Sequence, residues 1–292
     1  MTQKKATLMG LIAIVLWSAI VGLIRSVSEG FGAIGGAALI YTLSSLLLLL
    51  TVGFPKIKTF PRRYLIIGSV LFVCYELCLS LSLGFANTST QAIEVGMVNY
   101  LWPGLTIVLS VLVNRQKTSL IIIPGLLLSL AGIGMVLGGD EGFSFSQIVA
   151  NLYSNPLSYG LALTGAIIWA IYCVFTKKTA QGCNGITLFF MLTALTLWIK
   201  YLSAPQPLFN INLQVIISLI LAACAMGCGY AAWNTGILHG NVTILATASY
   251  FIPVISALLA ALILGSALNR FLLARRGNGQ PGLVDVSIPI EF

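Results

Sequence analysis

Apolar residues occur along the chain in runs of roughly 20 residues, separated by short polar stretches. A run of that length matches an α-helix that crosses the bilayer core of about 30 Å. The runs do not alternate apolar and polar positions, as the strands of an outer-membrane barrel do. Since backbone polar groups in lipid must pair internally, the pattern predicts transmembrane helices. We place them at 6–24, 33–53, 64–86, 92–113, 119–138, 156–176, 184–203, 213–238 and 243–266.

The composition excludes a water-soluble globule. Hydrophobic residues make up 58% of the 292 residues and charged residues only 8%, whereas a soluble domain carries about 25% charged residues. The chain has too little polar surface to cover a folded domain in water, so the predicted fold is an all-α polytopic membrane protein.

The net charge of +8 comes from basic residues scattered over short loops. This placement argues against nucleic-acid binding. If the N-terminus is cytoplasmic, most basic residues fall on the cytoplasmic side, as the positive-inside rule requires. We therefore predict a multi-pass protein of the bacterial inner membrane with a cytoplasmic N-terminus. The basic residues on that side are Lys4, Lys5, Lys56, Lys58, Arg62, Arg63, Arg115, Lys117, Lys177 and Lys178.

The two halves of the chain resemble each other. Leu16-Trp17-Ser18 is matched by Ile168-Trp169-Ala170, and Tyr100-Leu101-Trp102-Pro103 by Tyr250-Phe251-Ile252-Pro253. The tryptophans are 152 residues apart (169 − 17) and the prolines 150 (253 − 103), and similar offsets at separate places indicate a repeat. Five helices in each half would make an inverted repeat, with a substrate site near the midplane.

The repeat divides the chain into four parts. We expect a first five-helix repeat at 1–138, a partly amphipathic periplasmic linker at 139–155, helices six to nine of the second repeat at 156–268, and an atypical C-terminal segment at 269–292.

The run 84–92, GFANTSTQA, followed by YLWP at 100–103, resembles the EamA-type helix pair of the drug/metabolite transporter superfamily. The runs 91–103 and 237–244 are similar in particular to its aromatic amino-acid exporters. The resemblance covers residues 1–266. It implies ten helices, cytoplasmic termini, and efflux of aromatic amino acids through a central cavity.

The segment after Leu268 departs from that family pattern. Where a tenth apolar helix is expected, residues 269–281 read NRFLLARRGNGQP, which is too polar and too broken to span. Its three arginines would also follow a ninth helix that ends in the periplasm. We therefore expect the tenth helix to be atypical or lost in this chain.

Three tryptophans, Trp17, Trp102 and Trp169, lie near the middle of their predicted helices. Tryptophan in membrane proteins usually sits at the interface, as we expect for Trp198 and as could also hold for Trp233. A tryptophan at mid-depth needs a partner for its indole N–H, and a polar central cavity would supply one. The three are predicted to line such a cavity, with plain core packing as the alternative.

Aromatic and polar residues also recur at helical spacing. The stripes are Tyr75, Cys78 and Ser82; Asn99, Trp102 and Thr106; Trp169, Tyr172 and Thr176; and Tyr230, Trp233 and Asn234. Together they predict one aromatic-lined aqueous pocket, although polar side chains also join membrane helices at roughly 0.6 kcal/mol each. The predicted substrate-binding residues are Trp17, Tyr75, Asn99, Tyr100, Trp102, Trp169, Tyr172, Trp233 and Tyr250.

Pro103 and Pro253 each remove a backbone donor at matching places in the two halves. Proline inside a helix kinks it and frees a carbonyl group. The kinks are predicted to serve either as hinges or simply to shape the packing.

Glu76 and Glu94 are the acids within the predicted spans. A charge at mid-membrane costs about 2.5–3.5 kcal/mol, so such residues usually have a function. Glu76 lies near the centre of its helix with no basic residue at its depth, and we predict that it handles a proton or a substrate ammonium group. Glu94 starts its helix, so it could serve in coupling or favour the helix N-terminus.

These features predict a secondary transporter that exports aromatic or hydrophobic amino acids. The alternatives are efflux of planar organic cations, since aromatic faces bind cations, and, from another class, an intramembrane enzyme or structural subunit. The sequence has no Walker loop, no carboxylate pair on one helix, and one histidine, in a loop. We therefore predict no catalytic residues, no cofactor and no metal site. The expected partners are a small-molecule substrate and the lipid bilayer.

Overall fold

The computed structural model describes residues 1–114, 145–203, 205, 209–249, 251, 252 and 255. All regular structure in this part of the chain is helical. The helices are α1 (Gln3–Ser18), α2 (Ile20–Phe31), α3 (Ala33–Thr51), α4 (Ser69–Gly84), α5 (Ser89–Asn99), α6 (Trp102–Asn114), α7 (Phe145–Ser154), α8 (Pro156–Thr179), α9 (Ile186–Leu202), α10 (Leu213–His239) and α11 (Val242–Ser249). A 3₁₀ turn at Ile57–Thr59 and a π-helical turn at Tyr64–Gly68 precede α4.

Several helical segments are long and apolar enough to cross a membrane. Within the described residues these are Ala33–Thr51, Tyr64–Gly84, Ser89–Leu109, Pro156–Thr179 and Leu213–His239, and the bent pair α1–α2 could form one more span. The predicted all-α polytopic fold is thus confirmed. The predicted span 119–138, most of the span 243–266, the segment 269–292, Tyr250 and Pro253 lie outside the described residues.

The first predicted span, 6–24, is divided into two helices. α1 and α2 meet at Ala19 with a bend of 44°. At the bend, Ala19 N–H donates to Leu16 O at 3.3 Å. This bond spans three residues, whereas the bonds of an α-helix span four. The Ser18 hydroxyl donates to Ile14 O at 2.7 Å, and back-bonding of this kind often bends helices. The span therefore breaks where serine follows Trp17.

The predicted span 92–113 is also interrupted. Thr88 caps α5 by accepting from Gln91 N–H at 3.0 Å, so the helix begins at Ser89 rather than near Ala92. α5 ends at Asn99 and α6 begins at Trp102. Pro103 has no N–H to give to Asn99 O, so the regular ladder stops there. The expected proline kink is therefore a short break at Tyr100–Leu101.

The described part of the predicted linker 139–155 is helical, as α7. Asn155 ends it and caps the next helix, since its side chain accepts from Ser158 N–H at 3.2 Å. Pro156 occupies the first position of α8, where its missing N–H would have no helical partner in any case.

Three helix pairs dominate the packing: α1 against α10, α3 against α9, and α4 against α8. The first pair is close because it meets at glycines. A methyl group on Gly236 would lie 3.0 Å from the Cα of Gly10. Small residues let membrane helices approach in this way.

Candidate functional site

Four tryptophans from four helices meet inside the bundle, and we call them the tryptophan cluster. Its members are Trp17 of α1, Trp102 of α6, Trp169 of α8 and Trp233 of α10, all buried. The ring centroid of Trp17 lies 6.5 Å from that of Trp102 and 6.0 Å from that of Trp169. Trp233 lies 5.0 Å from Trp17 and 5.4 Å from Trp102. Most of these contacts are edge-to-face, a favourable geometry for aromatic pairs.

Tyrosines extend the cluster on both sides of Trp169. Its ring is stacked between Tyr75, at 4.5 Å with 28° between the planes, and Tyr172, at 4.9 Å with 18°. Tyr230 of α10 packs on Trp17 at 4.6 Å and on Trp169 at 5.4 Å. Aromatic rings from α1, α4, α6, α8 and α10 therefore form one continuous body.

A cavity of about 30 Å³ lies beside this body. That is space for water, whereas pockets for small molecules measure about 300–1,000 Å³. An amino acid could therefore enter only if side chains or helices moved. The predicted site residues that line the cavity are Trp17, Tyr75, Asn99, Tyr100 and Trp102.

Other predicted residues lie next to the cavity rather than on its wall. Trp169 and Trp233 contact the lining rings, and the Tyr172 hydroxyl donates to Asn234 Oδ1 at 3.3 Å. Conversely, the wall includes residues absent from the predicted set: Ile20, Val21, Leu79, Gly96 and Tyr230. Tyr230 belonged to a stripe predicted to line the pocket but was not among the predicted substrate-binding residues; the aliphatic residues carried no signal that separates them from lipid-facing ones.

Three buried indole N–H groups of the cluster have no hydrogen-bond partner among the described residues. They belong to Trp17, Trp169 and Trp233. An unpaired buried donor costs about 1–3 kcal/mol, so the cluster is well suited to a molecule that brings acceptor atoms.

Glu76 lies on a different face of α4 from the cavity-lining Tyr75. Its side chain is fully buried, and one carboxylate oxygen accepts from the Tyr41 hydroxyl of α3. That hydroxyl also lies 3.0 Å from Ser80 Oγ, and Tyr230 of α10, a residue of the cavity wall, also neighbours the carboxylate. The ion pair found among the described residues joins Arg25 to Glu29 instead. Glu76 thus has tyrosine and serine neighbours, and although it does not itself line the cavity, its neighbour Tyr230 does.

The interpretation of Glu94 as a helix-start residue is wrong. α5 begins five residues earlier, at Ser89, so Glu94 lies in its second turn. It is buried and accepts from the Tyr159 hydroxyl of α8. The helix starts early because Thr88 caps it, a signal that lay in the predicted loop.

The arrangement of apolar spans around a buried aromatic body defines a polytopic α-helical membrane protein. Residues 156–274 match the EamA-like transporter family. The chain is 61% identical over 269 residues to the aromatic amino acid exporter YddG of Salmonella typhimurium, covering 92% of each chain. It is 60% identical, over the same length and coverage, to the aromatic amino acid exporter YddG of Escherichia coli K12.

The chain therefore belongs to the EamA-like transporter family, which confirms the resemblance noted in its sequence. It is a multi-pass membrane transporter and not an enzyme. A solved crystal structure shares the fold with a TM-score of 0.71 at 23% identity, covering 91% of this chain and 90% of its own.

Proposed function

We propose that this chain exports aromatic amino acids from the cytoplasm across the bacterial inner membrane. The observation that carries the proposal is the identity of 60–61% over 92% of the chain to proteins named as aromatic amino acid exporters. The buried aromatic body supports it, because stacked and edge-on rings are the natural partners of an aromatic side chain.

The substrate would bind at the tryptophan cluster and the cavity beside it. Trp169 already shows the required geometry, since it is stacked between Tyr75 and Tyr172. The small volume of the cavity implies that binding opens the bundle or displaces a ring. Such a change fits a transporter that exposes one site to each side of the membrane in turn.

Helix pairing supports an inverted repeat. In such a repeat, α1–α2 of the first half corresponds to α8 of the second half, and α4 corresponds to α10. The symmetry then relates the contact between α1 and α10 to the contact between α8 and α4. Both pairs pack extensively. Trp17 and Trp169, matched in sequence, also meet at 6.0 Å. We propose that the site lies on this pseudo-symmetry axis, with the halves rocking around it.

Glu76 would carry the coupling proton rather than bind the substrate. It is fully buried, it accepts from the Tyr41 hydroxyl, and it does not itself line the cavity, although Tyr230 of the wall neighbours it. A carboxylate in that setting is better placed to exchange a proton than to reach a substrate ammonium group, and intramembrane acids commonly act as proton relays.

Transport into and out of sealed proteoliposomes tests the proposed function. Purified protein should accumulate labelled L-phenylalanine or L-tryptophan, and other aromatic amino acids should compete. If the protein instead exports planar organic cations, a quaternary ammonium dye should be transported and should outcompete the amino acids. That result would replace the proposed function. Absence of any solute movement would reject both.

Two single-cysteine variants in a cysteine-free background test the proposed orientation. Lys58 and Tyr153 are both exposed, and they lie on opposite sides of the proposed membrane. A membrane-impermeant thiol reagent added to intact spheroplasts should label Tyr153→Cys and leave Lys58→Cys unlabelled. The reverse pattern would place the N-terminus outside.

A further inference from the structure

The cavity wall carries no acidic side chain among the described residues. It is made of aromatic and aliphatic residues, one glycine and Asn99. Glu76 and Glu94 are both engaged elsewhere, by tyrosines of other helices. A zwitterionic amino acid in this cavity would still need acceptors for its ammonium N–H groups, because a buried charge without hydrogen bonds is costly.

A neutral acceptor is available at the break between α5 and α6. In a continuous helix the carbonyl oxygen of Asn99 would accept from residue 103, which is Pro103 and has no N–H. The neighbouring donors are used elsewhere: Leu101 N–H donates to Val98 O at 3.2 Å, and Leu105 N–H to Leu101 O at 3.1 Å. No backbone N–H of the described residues donates to Asn99 O.

The Asn99 side chain holds this stretch in place at the cavity. Its Nδ2 donates to Ala162 O of α8 at 3.3 Å, and the residue lines the cavity. The side-chain amide therefore fixes the break against α8 and leaves the main-chain oxygen as a preformed acceptor.

The other helix break borders the same cavity. Trp17 precedes the bend at Ala19, Ile20 and Val21 follow it, and all three line the wall. α1 ends there, but α2 begins at Ile20 and the Ala19 N–H already pairs with the carbonyl groups of Leu16 and Trp17, so this break adds no free acceptor. Two interrupted helices thus border one small cavity, and membrane transporters bind cations with unpaired carbonyl groups such as that of Asn99.

We propose that the main-chain carbonyl of Asn99, freed by Pro103, binds the ammonium group of the amino-acid substrate. The inference rests on the proposed function and adds the group that recognises the amine. The ammonium group is thereby bound by Asn99 and not by Glu76. It also differs from binding by aromatic faces alone, because a carbonyl requires N–H donors, whereas a ring face needs only positive charge.

Three ligands of one side chain test the proposal on the unmodified protein: L-phenylalanine, 3-phenylpropanoate, which lacks the amine, and N,N,N-trimethyl-L-phenylalanine, which keeps the charge but has no N–H. Binding is measured by equilibrium dialysis with the purified protein. A hydrogen bond to a charged group corresponds to roughly ten-fold or more in affinity. L-phenylalanine should therefore bind at least about ten-fold more tightly than both analogues.

The variant Pro103→Ala tests the acceptor itself. Alanine supplies an N–H that can pair with Asn99 O and withdraw it from the ligand. The affinity for L-phenylalanine should fall about ten-fold, while the two analogues should change by less than about two-fold. Pro156→Ala is the matched control, because Pro156 starts α8 and its missing N–H has no helical partner. It should leave all three affinities unchanged.

Each outcome decides a different question. A trimethylated ligand that binds as well as L-phenylalanine would overturn the carbonyl site in favour of ring faces. An equal loss of all three ligands in Pro103→Ala would show that proline only shapes the helix, and would overturn the inference alone. If the unmodified protein binds none of the ligands, the proposed function itself fails. The comparison of the three ligands uses the unmodified protein. It can therefore contradict the proposal even if Pro103→Ala does not fold.

Discussion

Two neighbouring faces of α4 differ in what they present to the rest of the bundle. Tyr75 and Leu79, one turn apart, line the cavity, and Tyr75 stacks on Trp169. Glu76 and Ser80, also one turn apart, face α3, where both lie beside the Tyr41 hydroxyl. One helix thus carries an uncharged aromatic wall on one face and a buried acid on the next, and Tyr230 of α10 adjoins both.

This separation indicates how binding and proton coupling can occupy one helix without competing. The wall offers rings and main-chain acceptors to a substrate, while the acid keeps its own hydrogen-bond partners. A change in the protonation of Glu76 would then act through its neighbours Tyr41 and Tyr230 rather than by direct contact with the substrate.

The largest effect is expected on the aromatic side, from Trp169→Ala. Trp169 has no exposed surface and loses two stacked partners in this variant. Removal of a buried aromatic side chain costs about 3–5 kcal/mol of stability. We expect binding of L-phenylalanine to become undetectable and the melting temperature in detergent to fall. Trp169→Phe, which retains a ring, should recover part of both. Unchanged binding in Trp169→Ala would exclude the cluster as the site.

The next largest effect is expected on the acidic side, from Glu76→Gln. Export driven by a pH gradient should disappear, because one coupled proton supplies up to about ten-fold accumulation per pH unit. The affinity for L-phenylalanine should stay within about two-fold, since Glu76 does not line the cavity. Proteoliposomes with and without an imposed pH gradient provide the measurement.

Glu94→Gln is the matched control for that variant. Glu94 is also buried and also accepts from a tyrosine, Tyr159, but it lies on α5. It should keep its dependence on the pH gradient. If both variants lose it, the two acids act together; if Glu76→Gln weakens binding as strongly as coupling, the faces of α4 are not independent.

The sequence predicted the aromatic face far better than the acidic one, for a physical reason. Tryptophans at mid-helix depth violate the usual interface preference, so Trp17, Trp102 and Trp169 stood out individually, and the structure brings them into contact. No feature of the sequence identified the hydrogen-bond partners of Glu76 and Glu94. Tyr41 and Tyr159 are ordinary tyrosines 35 and 65 residues away from those acids, and only the packing of helices reveals the pairing.

The two helix breaks also differ in how far the sequence could predict them. Pro103 predicted an interruption, because its missing N–H is a property of one residue. The bend at Ala19 has no proline, and the Ser18 hydroxyl bond found there also occurs at Ser28 and Ser45 inside unbroken helices. Local chemistry could therefore be predicted from the sequence, whereas side-chain direction and long-range pairing could not.

A smaller effect is expected from Gly229→Ala, which tests how tightly Trp17 is positioned. An added methyl group would lie 2.6 Å from Trp17 Nε1 and 2.8 Å from its Cδ1, so the ring must shift. Overpacking of this kind costs about 1–3 kcal/mol, and the affinity for L-phenylalanine should fall several-fold. Gly160→Ala, on exposed α8 surface with nothing within 4 Å of the added methyl group, is the control. It should be neutral or stabilising by up to about 1 kcal/mol.

The smallest effect is expected from Trp198→Phe, which tests whether the aromatic face ends at the tryptophan cluster. Trp198 of α9 is only partly buried and donates its indole N–H to Thr42 Oγ1 at 2.9 Å. Hydrogen bonds between membrane helices contribute roughly 0.6 kcal/mol, so stability should fall by about that amount. Thr42→Val should cost the same, and the double variant should cost no more than either.

Because Trp198 lies apart from the cavity wall, Trp198→Phe should also keep the full change in tryptophan fluorescence on binding L-phenylalanine, which does not itself absorb at the excitation wavelength of tryptophan. The same change should be strongly reduced in Trp102→Phe, which removes an indole from the wall. If the signal instead vanished with Trp198, substrate would be reaching the outer helix α9, and the boundary between the aromatic wall and the surrounding helices would have to be moved outward.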